Sequence, residues 1–454
     1  MGVGGGDRAS YTVAFGSCRK QRRDQSVLWR SITNLQPDVF LWLGDYIYPP
    51  IPRPTPHNLS SYYADAAIAE SPLLQNSNII VDGVYDDHDY GINDGGRHWV
   101  HRDAARSLFL DRVVKAPSTS ARRTQAGGLY GARMLAHDQI KLVMLDTRYA
   151  RDDHYIPSPG GWQHVPKAGY LAGCLRAACA LLGIGRTHEG DLLGSEEQWQ
   201  WLEKELTNST AKAHLIVSSV QVLTSSPIVE SWGHFPRSKD RLLRLLERTR
   251  PRGAVFLSGD VHYAELLGVG DGGISSLPGG SGVLEVTSSG LTHSCGDGKI
   301  GWLLCGTILR LFDGHRYISA GAKEETNGKG PLKVGASLGA INFGSIAFHF
   351  EDGEDAATTT PHMEVRIHDV NGAVQLTHAL PLNLPPEVEA ARWAAARQTL
   401  PDIYEGAAVL RGPLSACGLV VGAFAVLALK FYGASNGRRP LPRKWRGKAK
   451  AKRA

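Results

Sequence analysis

Five apolar residues lead directly into a polar segment in the stretch Val39-Phe40-Leu41-Trp42-Leu43-Gly44-Asp45-Tyr46-Ile47-Tyr48. A second stretch, Ala254-Val255-Phe256-Leu257-Ser258-Gly259-Asp260-Val261-His262, has the same arrangement. A short apolar run rich in β-branched and aromatic residues predicts a buried strand, and the glycine after it allows a sharp turn of the backbone. We therefore expect Asp45 and Asp260 to lie at the ends of two strands.

Similar apolar runs recur along the chain and predict further strands, at residues 12–15, 79–84, 140–145, 214–222, 283–286 and 346–350. Apolar residues at helical spacing predict helices between several of them, at residues 25–35, 62–69, 195–206 and 239–248. Strands that alternate with helices indicate an α/β fold. In such folds, functional groups gather beyond the carboxyl ends of the strands.

Two more of the predicted strands end in groups that can bind a cation. The run 12–15 leads into Gly16-Ser17-Cys18, and the run 79–84 leads into Tyr85-Asp86-Asp87-His88, with Asn93 close behind. One Gly-Asp pair alone more often marks a turn, so the prediction depends on their joint occurrence. Carboxylates gathered at one sheet edge repel one another, and a cation relieves that repulsion. The sequence therefore predicts a metal site.

In this order, the motifs resemble those of the PhoD-like alkaline phosphatases, a family of calcineurin-type metallophosphoesterases. The resemblance runs from Thr12 to Phe350 and includes two further motifs: Leu145-Asp146-Thr147-Arg148, and Leu193-Gly194-Ser195 followed by Gln198, Trp199, Trp201 and Leu202. It implies a four-layer αββα sandwich with two sheets flanked by helices. It also implies a phosphoric ester hydrolase with a ferric ion beside calcium or another divalent metal.

The resemblance assigns metal ligands residue by residue. The ligands expected on the iron side are Cys18, Asp45, Tyr48, Asp260 and His262, with Asp45 bridging the metals, and those on the calcium side are Asp86 and Asn93. Thiolate and phenolate suit a ferric ion, whereas carboxylate and amide oxygens suit calcium. Asp260 replaces the first histidine of the Gly-His-x-His found in the wider superfamily, which argues against zinc.

Three residues remain as predicted catalytic groups: Asp87, His88 and Arg148. Arg148 is expected to hold the charge of the phosphate, and His88 to orient the phosphate or to protonate the leaving group. The expected reaction is hydrolysis of a phosphomonoester by a metal-bridging hydroxide. A phosphodiesterase or phospholipase-D-type hydrolase using the same site is the alternative, and a catalytically inactive, metal-bound ectodomain is a third reading.

The C-terminal region predicts attachment to a membrane. Residues 414–429 carry no charge, and residues 438–454 hold nine Lys or Arg and no acid. The whole chain has a net charge of +6, so without these nine basic residues the rest of the chain has a net charge of −3. A body of that charge gives little support for binding nucleic acid. We expect a flexible N-terminus at 1–10 and the phosphoesterase domain at 11–384. A juxtamembrane helix and linker at 385–412, a transmembrane helix at 413–432 and a basic tail at 433–454 should follow. The alternative to the transmembrane helix is a buried C-terminal helix.

The basic tail predicts the topology of this span. The positive-inside rule places the tail in the cytoplasm and the body outside or in a lumen, and lysines near the C-terminus resemble a retrieval signal of the endoplasmic reticulum. No apolar targeting segment precedes Tyr11, so we expect either a longer N-terminus or a tail-anchored protein. The expected substrate is a small-molecule or lipid phosphate ester. In an oxidising lumen, Cys174 with Cys179 and Cys295 with Cys305 are candidate disulfides; six reduced thiols are the alternative.

Overall fold

Two β-sheets and the helices packed on them make up the computed structural model, which describes residues 10–49, 53–69, 79–156, 158, 168–268, 283–311, 332–334, 336–350 and 360–411. The strands in this part of the chain are β1 (Tyr11–Gly16), β2 (Val39–Leu43), β3 (Ile80–Val84), β4 (Gly131–Leu135), β5 (Ile140–Met144), β6 (Ala213–Val217), β7 (Ala254–Ser258), β8 (Ala264–Gly268), β9 (Val283–Ser288), β10 (Leu332–Val334), β11 (Ser337–Gly339), β12 (Asn342–His349), β13 (His362–Asp369) and β14 (Val374–Pro381). The helices are α1 (Ser26–Asn34), α2 (Pro56–Ala69), α3 (Asp87–Tyr90), α4 (Arg102–Arg112), α5 (Ala168–Leu181), α6 (Glu196–Thr207), α7 (Pro236–Thr249), α8 (Gly298–Leu311), α9 (Pro386–Thr399) and α10 (Ile403–Gly406).

The strand order brings the ends of seven parallel strands together. The first sheet has the order β14-β13-β12-β1-β2-β3, in which β1, β2 and β3 are parallel. The second has the order β10-β11-β8-β9-β7-β6-β5-β4, in which β5, β6, β7 and β9 are parallel. Ser17, just after β1, donates a hydrogen bond to the carbonyl of Ser288 at the end of β9 (3.1 Å). The carboxyl ends in both sheets therefore face one region.

Alternating side chains of the second sheet enter two different apolar clusters. Leu215 of β6 shares a cluster with Phe15 of β1, so this face packs against the first sheet. The next residue, Ile216, shares a cluster with Leu202 of α6 and Trp393 of α9, so the opposite face packs against helices. The expected arrangement of two sheets with helices is confirmed.

A helix also covers part of the first sheet. Trp29 of α1 packs edge-to-face against Phe40 and Trp42 of β2, with ring centroids 5.7 and 6.1 Å apart. All three rings are buried. Aromatic pairs in this orientation add stabilisation beyond the area that they bury, and here they fix α1 over the strand that leads into Asp45.

The predicted apolar runs form strands in the structure, and the disagreement lies in the polar residues that follow some of them. Strand β2 has the predicted bounds, but the predicted strand 214–222 ends at Val217. Beyond it, Gln221 turns toward the neighbouring strands and donates hydrogen bonds to Glu265 (2.5 Å) and Thr287 (2.9 Å). The elements without a counterpart in the prediction are helices α3, α4, α5, α8 and α10 and strands β4, β8, β10, β11, β13 and β14.

The segment 385–412 differs from the juxtamembrane linker that the sequence predicts. Helix α9 is present, but its Trp393 is fully buried and packs edge-to-face on Phe256 of β7 (5.4 Å). Glu389 of the same helix accepts a hydrogen bond from the backbone N–H of Gly253 (2.7 Å). Because α9 is built into the core, the folded body extends past the predicted boundary at residue 384.

The predicted transmembrane helix at 413–432 and the basic tail at 433–454 lie outside the described residues, as does most of the N-terminal segment 1–10. Among the helices that are described, none is both long and apolar enough to cross a membrane. Membrane attachment and the predicted topology therefore stay predictions.

One of the two candidate disulfides is formed. Cys295 and Cys305 are bonded and tie the start of α8 to its middle. Cys174 and Cys179 of α5 are free thiols, and so is the buried Cys18.

Candidate metal centre

Thiol, phenol and imidazole groups meet the carboxylate of Asp45 at the ends of β1, β2 and β7. The Tyr48 hydroxyl donates to Asp45 Oδ2 (2.6 Å) and lies 2.9 Å from His262 Nε2. Cys18 Sγ is 3.6 Å from the same carboxylate oxygen. Ligand atoms of Cys18, Asp45 and His262 all lie within 4.8 Å of one another. The structure thus brings together four of the five residues expected on the iron side.

Asp45 also belongs to a second group, made only of carboxylates. Ligand oxygens of Asp45, Asp86, Asp87 and Asp260 lie within 4.8 Å of one another. This grouping differs from the prediction in two respects. Asp260, expected on the iron side, joins the acidic group, and Asp87, expected to be catalytic, joins it as well. Asp45 is shared by the two groups, as a bridging ligand must be.

The electrostatics of the acidic group show why it needs a cation. Burial, followed by the charges of Asp87 and Asp86, raises the pKa of Asp45 well above its usual range. Burial and Asp86 do the same to the pKa of Asp260, and burial raises the pKa of Asp86 to about 6, although Arg148 opposes that shift. Buried carboxylate oxygens without a hydrogen-bond partner, Asp86 Oδ2 and Asp87 Oδ1, remain available. These residues fit a hard divalent cation.

The first group fits a different kind of cation. Burial and the nearby Asp45 raise the pKa of Cys18 well above its usual range, and the same causes raise that of Tyr48. Burial lowers the pKa of His262 to about 3, so the imidazole is neutral and can act as a ligand. A bound metal ion deprotonates a coordinating thiol, and thiolate, phenolate and imidazole donors suit a transition metal.

Four of the predicted ligands have backbone conformations that are unusual for residues other than glycine. The φ angles are 62° at Cys18, 55° at Asp45, 71° at Asp260 and 62° at His262. A non-glycine residue in this left-handed region costs on the order of 1 kcal/mol or more. Such strain persists where the surrounding structure enforces it, and it concentrates at functional sites. The backbone of this fold therefore holds the ligand groups in place.

Gly44 allows β2 and β3 to approach each other at the site. Its φ is 103°, and a Cβ atom added there would lie 2.5 Å from Asp86 Cβ. We expect Gly44→Ala to lower the free energy of unfolding by about 2–4 kcal/mol and to reduce the metal content. Gly183→Ala is the matched control, because Gly183 has φ 71° but no atom within 4 Å of the added Cβ. If denaturant unfolding shows the same loss of unfolding free energy in both variants, the explanation by close approach of the two strands is wrong.

Arg148 lies behind the acidic group and is completely buried. Its Nε donates to Asp86 Oδ1 (2.6 Å), and its Nη1 donates to both carboxylate oxygens of Glu230 (3.0 and 2.9 Å). Glu230 also pairs with Arg151 (2.9 Å). Although burial opposes the shift, Arg148 and Arg151 hold the pKa of Glu230 well below its usual range. In this geometry Arg148 orients Asp86. Its Nη2 has no hydrogen-bond partner, and the phosphate-holding role expected for it stays a prediction.

The other two expected residues lie at the rim of the site. The His88 side chain is about a third exposed; its ring centroid is 4.0 Å from that of Tyr48, and its Nε2 is 4.0 Å from Asp87 Oδ1. Asn93 is partly buried, and the next residue, Asp94, donates its backbone N–H to Asp87 Oδ2 (2.9 Å). Within the described residues, no hydrogen bond joins the Asn93 amide to the acidic group, so its role as a ligand stays a prediction.

Part of the chain matches a known protein family. Residues 116–300 match the family model of the PhoD-like phosphatases. This segment carries the PhoD-like phosphatase match. The family match thereby confirms the resemblance drawn from the motifs, and with it the class of enzyme, a phosphoric ester hydrolase. The PhoD-like match includes Arg148, Asp260 and His262 and ends shortly after His293.

Two solved structures resemble the chain at low sequence identity. The structure of PhoD is 15% identical, with a TM-score of 0.49, over 88% of this chain and 78% of that one. The structure of GAP50, the anchor in the inner membrane complex of Plasmodium, is 12% identical, with a TM-score of 0.44, over 87% of this chain and 96% of that one. No curated protein gives a significant match to the sequence.

Several residues of this PhoD-like site escaped the sequence analysis. They are Ser219, Glu230, Ser289 and His293. Ser289 Oγ accepts the backbone N–H of His262 (2.8 Å) and lies 3.0 Å from Cys18 Sγ, so it positions two ligands. Ser219 donates to Asp86 Oδ1 (2.5 Å). The sequence did contain a signal for Ser289, because Thr287-Ser288-Ser289 directly follows an apolar run, as the other site residues do.

Proposed function

We propose that this chain hydrolyses phosphomonoesters at a two-metal centre. A ferric ion would be held by Cys18, Tyr48 and His262, and calcium or another divalent cation by Asp86, Asp87 and Asp260, with Asn93 as an additional predicted ligand; Asp45 would bind both. When bound, two such cations neutralise phosphate oxygens and lower the pKa of a water molecule for attack on phosphorus.

The observation that carries the proposal is the sharing of Asp45 between two unlike donor sets. One set contains sulfur, phenol and imidazole, and the other contains only carboxylates. Soft and anionic donors select a transition metal, whereas carboxylates select a hard divalent ion. A single carboxylate within 4.8 Å of the ligand atoms of both sets is what a mixed binuclear centre requires.

The chain's own residues keep this centre in place and handle protons. Arg148 orients Asp86 and opposes the rise in its pKa that burial causes, and Ser289 holds Cys18 and the backbone of His262. His88, partly exposed and next to Asp87, is positioned to give a proton to the departing alkoxide. In this arrangement the buried residues hold the metal ligands in place, and the ester enters from the partly exposed side, where His88 lies.

Metal analysis and turnover of the full-length protein test the proposal. We expect iron together with a divalent metal by mass spectrometry, and a visible charge-transfer band from the bond between tyrosinate and iron. An aryl phosphate monoester should be hydrolysed faster than the matching bis-aryl diester, and chelation should remove the activity. A phosphatidate in mixed micelles tests the predicted lipid substrate in the same assay.

The other results have definite meanings. Faster hydrolysis of the diester would replace the phosphomonoesterase by the phosphodiesterase alternative at the same site. Zinc as the sole metal would overturn the assignment of Cys18 and Tyr48 to iron. A protein with its full complement of metals that turns over neither ester would be the inactive, metal-bound ectodomain.

A further inference from the structure

His293 is a buried imidazole that the proposed metal centre does not use. Its side chain lies at the end of the segment that follows β9 and is 5% exposed. Neither Nδ1 nor Nε2 has a hydrogen-bond partner. Buried polar groups in native proteins are nearly always paired, so an unpaired one indicates a group that is absent from the structure. The imidazole offers one N–H donor and one acceptor to such a group.

The ring of His293 borders the metal centre. Its centroid is 4.3 Å from that of His262 and 5.0 Å from that of Tyr48, with the rings edge to face. His293 belongs to none of the four groups of candidate metal ligands found among the described residues. The unpaired nitrogens therefore lie next to the reaction centre while remaining outside those groups.

Lys20 is a second unused group at the same place. Its Nζ lies 5.6 Å from the centre of the Tyr48 ring, and its side chain is partly exposed. In the described part of the chain no carboxylate forms an ion pair with it. The arginines near the site already pair with carboxylates: Arg148 and Arg151 pair with Glu230, and Arg176 pairs with Asp94 (2.7 Å). Lys20 is by contrast a partly exposed cation beside the site that has no carboxylate partner among the described residues.

The two groups are fixed to each other through the backbone. The N–H of Lys20 donates to Thr292 Oγ1 (2.7 Å), and Arg23 Nη1 donates to the carbonyl of Thr292 (2.7 Å). On the other side of His293, the N–H of Cys295 donates to the carbonyl of His262 (2.8 Å). Short hydrogen bonds on both sides fix the backbone around His293, and the imidazole and the Lys20 ammonium group lie 5.0 and 5.6 Å from the Tyr48 ring centre. Groups that are held in place in advance lose little freedom on binding an anion.

We propose that His293 and Lys20 form the subsite that binds a phosphate oxygen of the substrate, a role expected from sequence for Arg148. The proposal rests on the proposed function for the nature of the substrate, a tetrahedral phosphate. The imidazole N–H and the ammonium group donate to a negatively charged oxygen, and charge-assisted hydrogen bonds of this kind are the strong ones. His293 is thus a residue that contacts the substrate, and it binds no metal.

Binding of inorganic phosphate to the full-length, metal-loaded protein tests the subsite without relying on turnover. We expect His293→Gln and Lys20→Met each to weaken phosphate binding about tenfold in calorimetry. Both variants should keep the metal content of the unchanged protein. In ester hydrolysis, the inhibition constant of phosphate and KM should rise in the same proportion.

Matched controls separate this effect from general damage to the fold. Lys212→Met removes another partly exposed lysine whose Nζ lies 5.6 Å from an aromatic ring, that of Phe350. His368→Gln changes another buried histidine, which is hydrogen-bonded to Ser345 (2.8 Å) away from the site. Both controls should bind phosphate as the unchanged protein does.

Three results would overturn the subsite: unchanged phosphate affinity in both variants, loss of metal from His293→Gln, or a metal-loaded protein that does not bind phosphate at all. Loss of metal would make His293 a ligand of the centre. If the variants weaken phosphate binding but the unchanged protein hydrolyses no ester, the subsite stands and the proposed function fails.

Discussion

Asp45→Asn is expected to lower kcat/KM for an aryl phosphate by roughly 10³-fold, which corresponds to the several kcal/mol of transition-state stabilisation that metals supply. Asp45 is the residue shared by both groups of ligand atoms, so its loss affects both cations. The measurement is steady-state hydrolysis together with metal content by mass spectrometry. We expect both to fall, and retention of both metals by the variant would contradict the bridging role.

The same substitution should act in the opposite direction on the metal-free protein. Without cations, Asp45 is buried beside Asp86 and Asp87, and their charges oppose its ionisation. A neutral amide removes that repulsion, so chelated Asp45→Asn should unfold at the same or a higher denaturant concentration than the chelated unchanged protein. Asp111→Asn, which changes an exposed carboxylate paired with Arg123, is the control and should change neither activity nor stability appreciably.

Arg148→Met is expected to lower the free energy of unfolding by about 3–5 kcal/mol, because it leaves Asp86 and Glu230 buried without their partner. Denaturant unfolding of the chelated protein measures the loss. Arg248→Met is the matched control: its pair with Glu203 is exposed on both sides, and such pairs contribute about 0–1 kcal/mol.

This experiment also separates the two roles considered for Arg148. A residue that holds the phosphate would change KM and phosphate affinity and leave the stability of the free protein nearly intact. A residue that orients Asp86 from behind would lower stability and metal content together. The second outcome is expected here, since the Arg148 side chain is completely buried.

The residues predicted from sequence share one local property. Cys18, Asp45, Asp86 and Asp260 each follow a buried parallel strand within a few residues. The pattern of apolar runs located those strands, and the geometry of parallel sheets brings their ends together. The existence of a metal site at this edge followed from these facts alone, before any pairing of the strands was known.

The parts of the site that sequence did not predict depend on contacts between distant residues. Arg148 meets Asp86 and Glu230, which are 62 and 82 residues away, and no motif marks Glu230. Asp260 was assigned to the iron side by motif position, whereas its distances place it with the carboxylates. His293 was missed because its signal is the absence of a partner, and only a packed structure shows that a nitrogen is unpaired.

The candidate metal site lies at the carboxyl ends of the parallel strands, which leaves their amino ends free for engineering. The turn between β4 and β5 lies at these amino ends, and His137 and Asp138 in it are exposed. Among the described residues, the groups of candidate metal ligands include none from this turn. New chain termini or a fluorescent label placed there would be separated from the metals by the length of the strands. A circularly permuted enzyme opened at this turn should therefore keep its catalytic edge intact.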